Sequence, residues 1–156
     1  LRYVRRLTGS RSDAEEIVQE TFLKLHQRLT QEEGELTNAR AWLFRVATNA
    51  ARDLERERRV RTREGHLASN DMTVVDFEAH LERRQLTRAA LRRIPRRMRQ
   101  VLLLWSEGFT YREIADIAGI EPGYVGVLLQ RARAAFRREY EQLELGDPGR
   151  KNNGLL

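Results

Sequence analysis

Between Thr110 and Val125 the chain meets, one after another, the positional demands of two short helices crossing at a tight turn. Thr110 and Glu113 stand at the T-x-x-E spacing in which each side chain can satisfy an orphan amide of the first turn. The helix they open, Tyr111 to Ala118, places small Ala115 where a second helix would cross. Gly119 follows four residues later, where the turn favours a positive φ. Ile114, Ala118, Ile120 and Val125 supply the apolar positions that lock the pair, and Pro122 can begin the second helix, which should run past Arg138. An ordinary αα-hairpin has the helices but does not need all these positions filled at once. The pattern therefore reads as a helix-turn-helix.

In such a unit the second helix enters the major groove with its amino-terminal half near the base edges. Here that half carries Glu121, Gly123, Tyr124, Gly126, Val127 and Gln130, and is short of charge. Arg131, Arg133, Arg137 and Arg138 come later and Arg112 lies at the start of the preceding helix, positions better suited to phosphates than to bases. The expectation is backbone anchoring with modest direct readout, Val127 meeting a thymine methyl and Gln130 an adenine.

Apolar residues recur at helical spacing almost everywhere else, with glycine and proline only as punctuation, so the fold class is all-α. A helix over Leu1 to Leu7 stops at Thr8-Gly9. The next starts at Ser12, where Ser12 and Glu15 make another capping box, and runs to about Arg28 with Val18, Phe22, Leu25 and Leu29 as its buried stripe. A polar loop, Thr30 to Thr37, leads to Asn38, an N-cap for a helix over Ala39 to Arg61. On that helix Leu43, Val46, Ala47, Ala50 and Leu54 form an apolar stripe, and Arg45, Asn49, Arg52 and Arg56 form a polar one on the opposite side. A solvated face explains the second stripe as well as DNA binding does, except that Asn49 suits base edges.

Periodicity fades from Thr62 to Asp76, which reads as a linker. It resumes over Phe77 to Arg93, breaks at Pro95, and restarts over Arg96 to Glu107 with Met98, Val101, Leu102 and Trp105 on one face and Gly108 at C′. After Arg138 the chain drifts into a charged, flexible tail. The arrangement is two small helical domains joined by a flexible linker.

The chain holds 29 Lys+Arg against 23 Asp+Glu, a net charge of +6, and Lys24 and Lys151 are its only lysines. Positive charge carried by arginine favours a polyanionic partner. With no cysteine, disulfides, thiolate metal sites and Cys nucleophiles are excluded. His26, His66 and His80 have no metal-ligand spacing, so no metal or cofactor is expected, and no nucleophile-base pair or phosphate loop marks an enzyme. No apolar run approaches membrane-spanning length and no signal peptide is visible, so no membrane insertion and a cytoplasmic location are expected.

Two blocks resemble one family. RRLTGSRSDAEEIVQETFLKLHQRL followed by ARAWLFRVATNAARDLERERR is similar to region two, and ALRRIPRRMRQVLLLWSEGFTYREIADIAGIEPGYVGVLLQRARAAFR to region four, of the extracytoplasmic-function (ECF) sigma factors, specificity subunits of bacterial RNA polymerase in the sigma-70 family. The resemblance implies region two over 1–61, a linker over 62–76, region four over 77–140 and a flexible tail over 141–156. It implies docking on core RNA polymerase through Asp13, Glu16, Gln19 and Glu20, and promoter DNA contacts at the minus-ten element through Asn38, Arg45, Asn49, Arg52, Asp53 and Arg56. Minus-thirty-five contacts would fall on Arg112, Glu121, Gly123, Tyr124, Val127, Gln130, Arg131 and Arg133.

It further implies an anti-sigma factor as a partner. The chain departs from the family where Glu32 and Glu33, without an aromatic, precede Gly34, and where Gly126, Val127 and Leu128 replace usual polar contacts. Two other readings compete: a helix-turn-helix regulator acting without polymerase, and a sigma mimic that sequesters an anti-sigma factor.

Overall fold

The computed structural model describes residues 1–31, 36–63 and 78–146. Seven helices account for most of them, and no strand occurs among the described residues: α1 (Arg2–Thr8), α2 (Arg11–Thr30), α3 (Ala39–Arg63), α4 (Glu78–Arg93), α5 (Arg96–Ser106), α6 (Tyr111–Ala118) and α7 (Pro122–Leu145). The first three form one group. In the second, α4, α5 and α6 each pack on α7.

α1 stops at Gly9, which takes φ 77° and donates its amide to the Arg5 carbonyl. The cap of α2 lies two residues earlier than the sequence pattern indicates. Ser10, extended at φ −120°, accepts the Asp13 amide at 3.3 Å. Ser12 and Glu15 are exposed, and Glu15 takes the Arg11 guanidinium at 2.7 Å instead. The stripe shifts with the cap. Ala14, Ile17 and Thr21 face inward, Val18 and Leu25 are half-buried, and Phe22 and Leu29 are 57% and 64% exposed. Small Ala14 and Thr21 let α2 approach its neighbours closely, which turns the bulky residues outward.

Asn38 caps α3 as expected, its Oδ1 accepting the Ala41 amide at 2.9 Å. Ala47, Thr48 and Ala51 are buried on the apolar side, and the Thr48 hydroxyl meets the buried Tyr3 phenol at 2.7 Å. Burial pushes that phenol far above its ordinary range. The inward face of α5 is Gln100, Val101, Leu103 and Leu104. Trp105, which shares a face with Met98, Val101 and Leu102 by its spacing, is 44% exposed, with the Arg133 guanidinium 4.0 Å over its ring, so the indole is covered by a cation rather than by the core. α7 continues unbroken to Leu145, so 141–145, expected in the tail, are helical. Residues 62 and 63 end α3, and the remainder of the expected linker, like 147–156, lies outside the described residues.

The two groups share one core. α1 packs on α5 and α3 on α6. At the junction Phe44 stands 4.8 Å, ring to ring, from both Tyr3 and Phe109. The Arg40 guanidinium lies 4.2 Å over Phe109 and donates to the Glu107 carbonyl. Arg96 of α5 pairs with Glu55 of α3 at 2.8 Å.

Candidate nucleic-acid interface

The α6–α7 unit has the geometry its sequence specifies. Thr110 Oγ1 accepts the Glu113 amide and the Glu113 carboxylate accepts the Thr110 amide, closing the capping box. Gly119 takes φ 64°, the left-handed turn between the helices. Ile114, Ala115, Ala118 and Val125 are buried in the crossing and Ile120 half-buried. Glu121, Gly123, Tyr124, Val127, Gln130 and Arg131 stand exposed along α7, with Arg112 exposed at the start of α6. Arg133 is exposed too, but its guanidinium is engaged on Trp105.

Leu128 leaves this face altogether. At 5% exposure it belongs to the core, so Gly126-Val127-Leu128 is no continuous apolar surface. A residue the sequence reading passed over joins the face. Tyr111, 49% exposed, lies with its ring edge 3.5 Å from where a Cβ of Gly126 would be. The pairing is recognisable in retrospect: a glycine in the first turns of α7 leaves a notch, and the residue opening the preceding helix is aromatic.

On α3, Arg45, Asn49, Arg52, Asp53 and Arg56 are all exposed. Yet α6 is tied to this helix at both of its own ends. At one, Asn38 Nδ2 donates to Glu113 Oε1 at 3.0 Å, and at the other Arg52 Nη2 donates to the Ala118 carbonyl at 3.1 Å. The Glu113 carboxylate is held below its ordinary value by the Thr110 amide, the Thr110 hydroxyl and Asn38, with the Arg40 charge adding to them. Between the two ties, Arg45 and Trp42 of α3 face Asp116 and Ile117 of α6 across a cleft of about 320 Å³. Asp53 and Arg56 line a separate groove with Glu57 and Val60.

On α2, Glu16, Gln19 and Glu20 are exposed at steps of three and one, and Leu23, 57% exposed, continues that face. Glu20 is engaged by Lys24 at 2.7 Å. Asp13 does not belong with them. It is 6% exposed and its Oδ1 takes the Arg58 guanidinium at 2.6 Å, fastening α2 to α3.

Two family descriptions match the chain, Sigma-70 region 2 over residues 1–61 and Sigma-70 region 4 over residues 84–136. The chain is 33% identical over 131 residues to the ECF RNA polymerase sigma factor EcfG of Rhodopseudomonas palustris, a match covering 82% of this chain and 71% of the relative. The chain belongs to the ECF sigma factors. It is also 33% identical over 147 residues to the ECF sigma factor SigL of Mycobacterium tuberculosis, covering 91% of this chain and 82% of that one. Its fold is similar to the sigma factor RpoE solved in complex with the anti-sigma factor NepR from Bartonella quintana, with TM-score 0.70, 22% identity, and coverage of 93% and 89%.

An ECF sigma factor is a subunit of transcription initiation that binds DNA and works with RNA polymerase. In this sigma factor the exposed polar stripe of α3 and the exposed face of α7 lie in different regions, and α6 of region four rests on α3. The loop residues Glu32, Glu33 and Gly34 lie outside the described residues. Among the described residues no helix is long and apolar enough to cross a membrane.

Proposed function

We propose that the chain directs core RNA polymerase to promoters by a division of labour between region two, residues 1–61, and region four, residues 77–140. Glu16, Gln19, Glu20 and Leu23 of α2 dock on a basic surface of the core enzyme. The α3 stripe, Asn38, Arg45, Asn49, Arg52, Asp53 and Arg56, takes the minus-ten strand, for which opening the duplex costs a few kcal/mol per unstacked step. The α7 face reads the minus-thirty-five duplex, Arg112 and Arg131 holding phosphates. The chemistry of RNA synthesis belongs to the polymerase, and this chain contributes binding and strand separation in the cytoplasm. An anti-sigma factor is a fitting regulator, as the NepR complex of the structurally similar RpoE illustrates.

The observation carrying this reading is the coexistence of an exposed acidic-apolar face on α2 with two arginine-bearing faces on α3 and α7. A DNA-binding regulator that never meets polymerase has no use for the first. Transcription with purified core polymerase on a promoter library should give promoter-dependent products only when the chain is added; their absence on every template overturns the proposal.

The reading face also makes a narrower claim. Tyr111, Tyr124 and Val127 present apolar surface where charged groups are lacking, which suits thymine methyl groups. On a promoter recovered from that library, replacing the contacted thymines by deoxyuridine should weaken duplex binding roughly tenfold, at about 1–2 kcal/mol. Tyr111→Ala should cost a similar factor on the thymine duplex and little on the deoxyuridine one. Equal losses on both would assign Tyr111 to the backbone instead.

A further inference from the structure

We propose that α1 and α4 together form a docking surface for an acidic polypeptide, complete only while the two regions lie closed on each other. Arg84, Arg88 and Arg92 recur every fourth residue along α4, so one face of that helix carries a guanidinium about every 6 Å. Arg5 and Arg6 occupy the last turn of α1, and Gly9, just after it, stands with its Cβ direction 3.7 Å from the side chain of Arg92. Partial burial, and after it the charges of Arg5, Arg84, Arg6 and Arg92, hold the Arg88 guanidinium below its ordinary range.

Neighbouring arginines have acids: across the junction Arg2 pairs with Glu107 at 3.7 Å and Arg96 with Glu55 at 2.8 Å, and within region four Arg93 pairs with Glu139 at 3.9 Å. None of the five is paired with a carboxylate among the described residues. A last-turn cation is favourable at the end of α1, but that accounts for Arg5 and Arg6 alone and leaves the α4 row unexplained. Bringing five like charges together opposes closure, and an anionic partner reaching both helices reverses the sign.

The occupant is a protein segment rather than the promoter. α4 lies along the far half of α7, where Arg93 meets Glu139, about 22 Å along the helix axis from Tyr124 on the reading face. A duplex seated on the reading residues therefore engages the opposite end of α7. An acidic segment bound here would fasten region four to region two and keep Asn38 and Arg52 tied to α6. That last consequence rests on the reading of the α3 stripe as the minus-ten face.

Poly-L-glutamate serves as the probe. Arg6→Gln/Arg88→Gln/Arg92→Gln should bind it at least tenfold more weakly than the unaltered chain, with a thermal unfolding midpoint that does not fall. Arg112→Gln/Arg131→Gln/Arg137→Gln, which removes the same charge elsewhere, should lose much less. Poly-L-glutamate added before core polymerase should lower promoter-dependent transcript from the unaltered chain and spare the α1–α4 variant. Equal loss in the two variants overturns the proposal, as does a defect of the α1–α4 variant in transcription without the probe, which assigns these arginines to polymerase or promoter. Tighter retention of duplex DNA than of poly-L-glutamate by the same five residues overturns it in favour of nucleic acid. If the unaltered chain supports no transcription, the sigma-factor reading fails, while the binding comparison still decides the surface.

Discussion

Leu23→Asp should leave the fold intact and cost at least about thirtyfold in affinity for core RNA polymerase, the loss of a roughly 2 kcal/mol anchor. Leu23 is 57% exposed on α2 and shares a helix face with Glu16, Gln19 and Glu20. Removing it creates no cavity, and a charge there meets water in the free protein. At the proposed interface the same carboxylate would have to be desolvated where the leucine side chain packs, beside the carboxylates of Glu16 and Glu20. Glu20→Arg should act on the same binding through charge, with a loss that shrinks as salt rises, whereas the Leu23→Asp loss should persist. Immobilised core polymerase titrated with each variant at two salt concentrations separates these contributions. Affinity of Leu23→Asp within threefold of the unaltered chain would remove α2 from the docking surface.

The largest effect on stability is expected at Leu104. Its side chain is fully buried in the core cluster that also holds Tyr3, Val4, Ile94, Phe109 and Leu129, drawn from both groups of helices. Leu104→Ala should cost about 3 kcal/mol through lost burial and the cavity left behind. In a domain of this size that corresponds to a fall in Tm of roughly 6–12 °C. Because the core is continuous across the two groups, both should melt together in a far-ultraviolet circular dichroism scan. Two separated transitions, or a fall under about 3 °C, would show that α5 does not join the groups energetically.

What was legible in the sequence was what local chemistry dictates. The Thr110–Glu113 box, the turn at Gly119 and the start at Pro122 depend on residues within a few positions of one another, and the helix-turn-helix follows them residue by residue. α2 was harder because its apolar residues fit two phases of the same period. Phe22 and Leu29 made the heavier stripe, but close approach to α1 and α3 selects the lighter one through Ala14 and Thr21. The cap moved for a related reason: Ser10 and Ser12 are both capping residues, and only Ser10 has the extended backbone that brings its hydroxyl to the Asp13 amide.

The site shows the same division. Exposure of the α3 stripe and of the α7 face follows from periodicity, so Arg45, Asn49, Arg52 and Arg56 were found as a set. Burial of Asp13 depends on Arg58, forty-five positions away, which no local pattern announces. Contact between α6 and α3 joins residues separated by sixty-six and seventy-five positions. Tyr111 escaped notice because its partner at Gly126 is an absent side chain rather than a present one.

The eight-residue α6 is gripped at its first turn through Glu113 and at its last carbonyls through Ala118, with both grips anchored on the same partner helix. A rod held at two ends cannot swing about one of them while the other stays fast. Parting α6 from α3 therefore requires both the Asn38–Glu113 and the Arg52–Ala118 hydrogen bonds to break, since either one alone still holds the helix. The faces so parted are mixed, Asn38 and Arg52 beside the apolar Trp42 and Ile117, so opening would give up two hydrogen bonds and wet apolar surface, a cost that a large partner covering that surface would offset.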